Sequence, residues 1–356
     1  MNPSRYLRQT SLIGFGAINQ NKLLQAKVLV VGLGGLGVPI AQYLNAMGVG
    51  TIGIVENDVI ALHNLQRQVL YAENEVGAPK LAVGLKKLQG QNTNTKFIPF
   101  NTYLNATNAL EIIAQFDVVV DATDNFGTRY LINDACVILN KPFVYGALHG
   151  FEGQISVFNF KNGPTYRCLF PHPPKQDSIP DCNVNGILGV LPGIIGTLQA
   201  LEVIKVITDI GEPLTGKLLL YDGLTQQTRS IQFKRQASST KISQLKAAYE
   251  TPDCVNDLDT ITIEEFLRLK TPFDLWDVRE PSEFKDFHLP NAINVPLGQL
   301  QNRLNELSTI NYTYLVCQSG KRSATAYQKI KAHKPNAKVI NVSGGINHYL
   351  HHYGNS

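Results

Sequence analysis

The sequence predicts an α/β fold: a doubly wound, mixed sheet followed by a second, smaller α/β unit. Three observations predict it. Short continuous apolar runs alternate with helical stretches through the first part of the chain. A glycine-rich turn joins the first run to the first long helix. Near Lys234 the apolar period dies away, and it resumes at about Asp259. At about 150 residues per domain, the 356 residues suit two domains.

Val28-Leu29-Val30-Val31 is the uninterrupted apolar run expected of a parallel strand covered on both faces. It runs into Gly32-Leu33-Gly34-Gly35-Leu36-Gly37 and then a helical stretch over 38–47. A second run, 51–55, ends in an acid, Glu56; a third, 118–120, is bracketed by Asp117 and Asp121. Strands alternating with helices give the doubly wound sheet. From 154 to 160 the pattern reads as antiparallel strand, and a proline-studded loop follows over 171–185. Residues 186–207, GILGVLPGIIGTLQALEVIKVI, are long enough to suggest a membrane span. Glu202 and Lys205 interrupt the late turns, so the expectation is a buried helix of a soluble protein, with no membrane partner. Residues 237–258 read as a polar linker. Beyond it, 261–270 is expected to be helical, 273–278 and 314–316 to be strands, and a helix to begin at Ala324.

Composition excludes several classes. With 32 basic and 28 acidic residues the net charge is only +4, and no basic block marks a nucleic-acid binder. Five cysteines (136, 168, 182, 254 and 317), odd in number and without a C-x-x-C, argue against a disulfide framework. The start, MNPSRYLRQT, has no apolar signal core, so a cytoplasmic location is expected.

A glycine-rich strand-to-helix turn lets backbone N–H groups approach phosphates. Glu56, 19 residues past Gly37, stands where a carboxylate meets a ribose hydroxyl. Those two features alone fit any dinucleotide-binding enzyme. His63-Asn64-Leu65-Gln66-Arg67-Gln68 and Gly77-Ala78-Pro79-Lys80 add cations that a nicotinamide pocket does not need and a polyphosphate does. Ala122-Thr123-Asp124-Asn125 adds a carboxylate suited to Mg²⁺.

In this order, Arg5-Tyr6-Leu7-Arg8-Gln9, the glycine turn, NLQRQ, GAPK and ATDN resemble the adenylyltransferases that activate ubiquitin-like sulfur carriers. These are the molybdopterin-synthase and thiamin-biosynthesis activating enzymes, relatives of the ubiquitin-activating enzyme. The resemblance implies a Rossmann-like adenylation domain over 1–236 that uses ATP and Mg²⁺. In it the turn glycines, Gly32, Gly34, Gly35 and Gly37, would cradle the nucleotide, with Gly35 against it. Glu56 would bind ribose in place of the more usual Asp. Asn64, Arg67 and Lys80 would contact phosphates, and Asp124, with Asn125 beside it, would manage Mg²⁺ and the adenylate. Arg8 would reach across a homodimer into the partner's site. Many relatives bind zinc through two C-x-x-C pairs; here Thr165-Tyr166-Arg167-Cys168 keeps one thiol and no second pair follows, so no structural zinc is expected.

Among the cysteines, Cys136 reads as a buried structural thiol and Cys254 has no role. Cys182, in Ile179-Pro180-Asp181-Cys182-Asn183, matches the place where the family often carries an acyl- or sulfur-accepting cysteine, with an exposed loop thiol as the equal alternative. Cys317 opens Cys317-Gln318-Ser319-Gly320-Lys321-Arg322-Ser323 between a strand and a helix. Successive N–H groups there form an anion nest able to hold a thiolate or persulfide. A cysteine phosphatase loop uses the same physics. The surrounding DLWDVRE, HLPNA and Gly344-Gly345 resemble a rhodanese domain over 259–356, in which Cys317 would bear the transferable sulfur, within a loop containing Gly320 and closed by Arg322. That role asks for residue 317 to be open to a partner, not packed shut in a core. Asp277 and Arg279 read as a structural ion pair, His288 as a hydrogen-bonded turn residue, and His348, His351 and His352 as a solvated tail.

The combined reading is adenylation of a carrier ending in Gly-Gly, then sulfur transfer from Cys317, directly or through Cys182, to give the thiocarboxylate. A cysteine desulfurase or a small sulfur donor would load the persulfide. An NAD-dependent oxidoreductase and a non-catalytic sulfur-relay or docking protein are the alternatives.

Overall fold

Short runs rich in apolar residues make most of the strands, and the longer stretches between them hold the helices. The computed structural model describes residues 3–173, 187–249 and 259–353, apart from 270 and 309. The chain divides into two compact units, Met1–Asp253 and Cys254–Ser356.

In the first unit the elements run α1 (Leu7–Thr10), α2 (Gly16–Gln25), β1 (Lys27–Val31), α3 (Gly37–Ala46), β2 (Thr51–Val55), α4 (Lys80–Gln91) and β3 (Lys96–Phe100). They continue with α5 (Ala109–Ala114), β4 (Val118–Asp121), α6 (Phe126–Ile138), β5 (Phe143–His149) and β6 (Glu152–Phe158). The last are α7 (Tyr166–Leu169), α8 (Val190–Thr208), β7 (Lys217–Asp222) and β8 (Thr228–Gln232). The eight strands lie in the order β3-β2-β1-β4-β5-β6-β7-β8. Pairing is parallel from β3 to β5 and antiparallel from β5 to β8, so the sheet is mixed. Strands β3, β5, β7 and β8 go unnamed in the reading above; β8 is solvated along its whole length and shows no apolar run.

Alternation along β1 explains the two layers. Val28 and Val30 join a core with α3, α4 and α8, whereas Leu29 and Val31 face α5 and α6. Because β1 has β2 on one side and β4 on the other, chain order reverses between them, which opens a crevice beyond their carboxyl ends. Helix α8 is long and apolar enough to cross a membrane. It packs instead against α3 and β4–β6, and its buried Glu202 accepts a hydrogen bond from the Leu214 N–H at 2.9 Å. Residues 237–249 fold back on this unit: Leu245 and Tyr249 pack against the α5–α6 core, and the Tyr249 hydroxyl donates to Asp134 at 2.8 Å.

The second unit has β9 (Thr260–Thr262), α9 (Ile263–Leu267), β10 (Phe273–Asp277), α10 (Pro281–Asp286) and β11 (Ala292–Asn294). It ends with β12 (Tyr312–Val316), α11 (Lys321–His333), β13 (Val339–Ser343) and α12 (Gly345–Tyr353). Its five strands are all parallel, in the order β11-β10-β12-β13-β9. Two expectations are corrected. The stretch from 261 opens as strand, since Thr260-Ile261-Thr262 pairs with β13; its helix then starts on a capping box between Thr262 and Glu265. Helix α11 begins at Lys321 rather than Ala324, because Gly320 takes φ +89° and turns the chain in earlier.

Candidate active sites

The glycine turn is shaped by what would collide with a side chain. At Gly37 a Cβ would lie 1.9 Å from the Gly32 carbonyl oxygen, and at Gly32, with φ +95°, 2.9 Å from the Ala122 carbonyl oxygen. Only glycine lets the turn fold on itself and rest on the loop after β4. Against Gly35 stand Pro192 and the Arg67 side chain, at 3.1 and 3.4 Å from where its Cβ would be, and Gly34 faces the Gln68 amide. The turn therefore meets the 63–68 segment, the 122–125 loop and the start of α8 in one place.

Glu56 sits at the carboxyl end of β2, only 8% exposed. Its Oε2 accepts the Leu33 N–H, and its Oε1 accepts the N–H groups of Asn57 and Asp58, each at 2.8 Å. The residue read as a ribose ligand is thus first a brace for the glycine turn. Asn64 is buried, its Oδ1 accepting the Ala61 N–H at 3.2 Å, and Arg67 donates through Nη1 to the His63 carbonyl. Lys80 opens α4 with a buried side chain. Its ammonium is paired to Asp58 Oδ2 at 3.1 Å, while Tyr103 donates to Asp58 Oδ1 at 2.9 Å. That pairing, which the sequence reading missed, holds the Asp58 carboxyl below its ordinary range against the cost of burial. Asp124 is exposed beyond β4, and Asn125 spends its Oδ1 on the Thr128 N–H as the cap of α6.

Arg8 is not brought to this group. It is exposed on α1, whose neighbour Gln9 bonds the Met47 carbonyl, past the last turn of α3 and so at the opposite end of that helix from the glycine turn. Cys182 and Cys254 lie outside the described residues. Cys136 is fully buried, and burial pushes its thiol far up. Cys168, also buried, has its Sγ accepting the N–H groups of Thr165 at 3.4 Å and Gln236 at 3.2 Å. Thr165 Oγ1 in turn donates to the Ser239 carbonyl at 3.2 Å, and Arg167 grips Asp134 with two bonds of 2.6 and 2.8 Å. Hydrogen bonds thus join the 165–168 and 236–239 segments directly. Among the described residues no group of three or more His, Cys, Asp or Glu side chains could hold a metal ion.

In the second unit Cys317 follows β12, and the loop closes round its sulfur. The Gly320 N–H lies 3.2 Å from Sγ and the Ser323 hydroxyl 3.5 Å. The Cys317 and Gln318 carbonyls accept the first amides of α12, from Ile346 and Asn347, which ties the loop to Gly344-Gly345. Arg322 reaches Glu283 of α10 with two bonds of 2.6 Å, and this guanidinium pushes the Glu283 carboxyl down to about 2. Arg279 and Asp277 are the buried ion pair expected, at 2.7 Å, and Arg279 also donates to Gln318 Oε1. His288 bonds the Phe284 carbonyl, as expected of a turn residue. His348 is corrected: it pairs with Glu264 rather than standing in a solvated tail. The expectation of an open Cys317 is corrected too. It is 1% exposed and packs with Trp276, Val278 and Leu315. The nest that binds the sulfur also covers it, so a reaction at Sγ requires this loop to open.

A switch-point crevice lined by a glycine turn and phosphate-suited cations, in a chain that also carries a cysteine-centred anion loop, defines a nucleotide-activating unit followed by a sulfur-handling one. A profile of the ThiF family matches residues 6–242 and one of the rhodanese-like domain residues 262–352. The chain belongs to the ThiF family and carries a rhodanese-like domain after it. It is 37% identical to the adenylyltransferase and sulfurtransferase MOCS3 of Arabidopsis thaliana, over 92% of this chain and 79% of that protein. It is 39% identical to a probable molybdopterin-synthase adenylyltransferase of Porphyra purpurea, over 99% of this chain and 94% of that one. Among solved structures it resembles E. coli MccB with ATP, with a TM-score of 0.57 and 25% identity, over 66% of this chain and 73% of that one.

Proposed function

We propose that this protein is an enzyme that adenylates the C-terminal glycine of a ubiquitin-like sulfur-carrier protein with ATP and then gives it sulfur from a Cys317 persulfide, yielding the carrier thiocarboxylate. One observation carries the reading: a polyphosphate-suited crevice and a cysteine held in an anion nest share one chain, aligned over most of its length with adenylyltransferase–sulfurtransferases. The oxidoreductase alternative leaves Arg67, Lys80 and the rhodanese-like unit without a task. A relay protein without activation leaves the whole crevice without one.

The chemistry needs alignment and charge cancellation more than proton transfer. A glycine carboxylate attacking the α-phosphorus approaches an anion, so cations placed ahead of time lower the barrier. Arg67 and Lys80 would take phosphate oxygens, Lys80 by turning from Asp58. Asn64, with its Oδ1 committed to Ala61, would offer its amide N–H. Glu56 would meet ribose with the lone pairs its braces leave free. The donors suit magnesium carried in by ATP: one exposed carboxylate, Asp124, beside phosphate oxygens, rather than an all-protein cage. Bound there, the ion would supply further charge cancellation. Arg8 would act in the second protomer of a homodimer.

In the second reaction the terminal persulfide sulfur of Cys317 attacks the acyl carbon. The new C–S bond replaces the C–O bond to phosphate, and AMP leaves with the electron pair. A second thiol then attacks Sγ of the acyl disulfide; the carrier thiocarboxylate departs and a disulfide between that thiol and Cys317 remains. Carrying both centres on one chain raises the effective concentration of donor. A thiol reductant, itself oxidised in the exchange, would cleave that disulfide and free Cys317, and a cysteine desulfurase or a small sulfane-sulfur donor would then reload it. The test is carrier-dependent ATP–pyrophosphate exchange. Arg67→Ala and Asp124→Ala should abolish it, whereas Cys317→Ala should keep it and lose thiocarboxylate formation. Exchange that persists in the first two variants would contradict the assigned site.

A further inference from the structure

The geometry points to Asp121 and Arg129 as positioning residues that aim Asp124 into the adenylation site by holding the two sides of Thr123. This rests on the adenylation reading above. Asp121, the last residue of β4, is fully buried, and its Oδ1 accepts both the Thr123 N–H at 3.0 Å and the Thr123 hydroxyl at 2.6 Å. From the first turns of α6, Arg129 donates through Nη2 to the Thr123 carbonyl at 3.1 Å. That carbonyl belongs to the peptide leading into Asp124. A buried anion thus holds the residue's N–H and a buried cation its C=O, which fixes the plane from which Asp124 departs.

What marks this pair as more than a structural ion pair is what it leaves unmade. Asp121 Oδ2 and Arg129 Nε face each other at 3.9 Å, too far for a hydrogen bond, and both are buried without a hydrogen-bond partner. On the same helix, Asp134 takes Arg167 in a closed fork of 2.6 and 2.8 Å. A pair selected only for stability closes that way, because an unsatisfied buried polar atom is costly. Arg129 instead gives the loop a single bond, through Nη2, its guanidinium carbon 5.3 Å from the Phe126 ring centre and 5.5 Å from that of Tyr145. Below, Gln199 of α8 donates to the Asp121 carbonyl at 2.8 Å. Above, the glycine turn leans on the Ala122 carbonyl. A shift of Asp121 or Arg129 therefore moves Asp124 relative to the bound nucleotide without touching any ligand.

The experiment uses the full chain. Carrier-dependent ATP–pyrophosphate exchange is titrated with Mg²⁺ in wild type, Arg129→Lys and Asp124→Ala, and melting is followed alongside. Arg129→Lys keeps the charge but loses the planar fork. The expected result is a kcat lowered about tenfold or more, the loss associated with misplaced catalytic geometry, together with a raised half-saturating Mg²⁺ concentration. A purely structural role would lower the melting temperature and leave the Mg²⁺ dependence alone; that outcome, or unchanged kinetics, overturns the inference. If Arg129→Lys does not fold, Thr123→Val removes only the hydroxyl bond to Asp121 and should raise the Mg²⁺ requirement in the same direction; wild-type Mg²⁺ dependence there overturns it equally. Exchange retained in Asp124→Ala would instead sink the adenylation-site assignment, whereas a dead Asp124→Ala beside a normal Arg129→Lys sinks only the positioning role.

Discussion

Glu56→Gln tests whether the glycine turn hangs on a carboxylate. The side chain accepts three backbone N–H groups at 2.8 Å, from Leu33, Asn57 and Asp58, in a site only 8% exposed. A glutamine amide has one oxygen. In its better orientation it keeps the Asn57 and Asp58 bonds and turns its NH₂ toward the Leu33 N–H, donor against donor. Leaving that N–H unpaired costs about 1–3 kcal/mol, and the two surviving bonds lose their charge assistance. The total is about 3 kcal/mol. For a unit of this size each kcal/mol moves the midpoint by roughly 2–4 °C, so a fall of roughly 6–12 °C is expected. Differential scanning calorimetry of the full chain, beside ATP–pyrophosphate exchange at varied ATP, is the assay. The KM for ATP should rise together with the instability, since turn and ribose share one carboxylate. A variant that melts within about 1 °C of wild type while its KM rises would refute the reasoning and leave Glu56 as a ribose ligand alone.

Two further outcomes are expected. Glu283, with its carboxyl pushed from an ordinary 4.5 to about 2 chiefly by its hydrogen bonds to Arg322, adds stability that is complete above pH 4.5 and lost as pH falls through about 2. The two side chains are 32% and 35% exposed, so solvent screening holds the contribution to about 1 kcal/mol; unfolding free energies of wild type and Glu283→Gln from urea titrations should differ by that much at pH 7 and converge toward pH 2. Gly37→Ala places a methyl 1.9 Å from the Gly32 carbonyl, which forces the turn open; exchange activity should fall by more than tenfold, measured at saturating carrier, with the rate of Cys317 alkylation in the folded chain unchanged.

How much of this was legible in the sequence depends on the distance over which each feature is built. The glycine turn was legible because a positive φ at Gly32 and a backbone approach at Gly37 admit a single residue type. The run 51–55 was legible as strand because it is buried on both faces. β8 was not, because a fully solvated edge strand needs no apolar signature. Ion pairs were harder. Asp277 and Arg279, two apart, could be read together, but Lys80 finds Asp58 across 22 positions and Arg322 finds Glu283 across 39. Nothing local in either residue announces its partner. The closing of Cys317 was missed for a related reason: the loop's own Gly320 amide and Ser323 hydroxyl bind the sulfur, but its cover also comes from Trp276 and Val278 at the end of β10.

The sequence by itself determined the order of the parts and the chemistry each can offer: a phosphate turn, a set of cations and one acid, then a thiol in an anion loop. Those features are written in residue types because backbone geometry and hydrogen-bonding capacity are properties of a few consecutive residues. Only the tertiary structure decided which charges are already spoken for. Lys80 is paired, Glu56 braces the turn, Asn125 caps a helix, and Asp124 stands exposed. Those assignments depend on desolvation and on approach across the sheet, which take effect only once distant segments pack together.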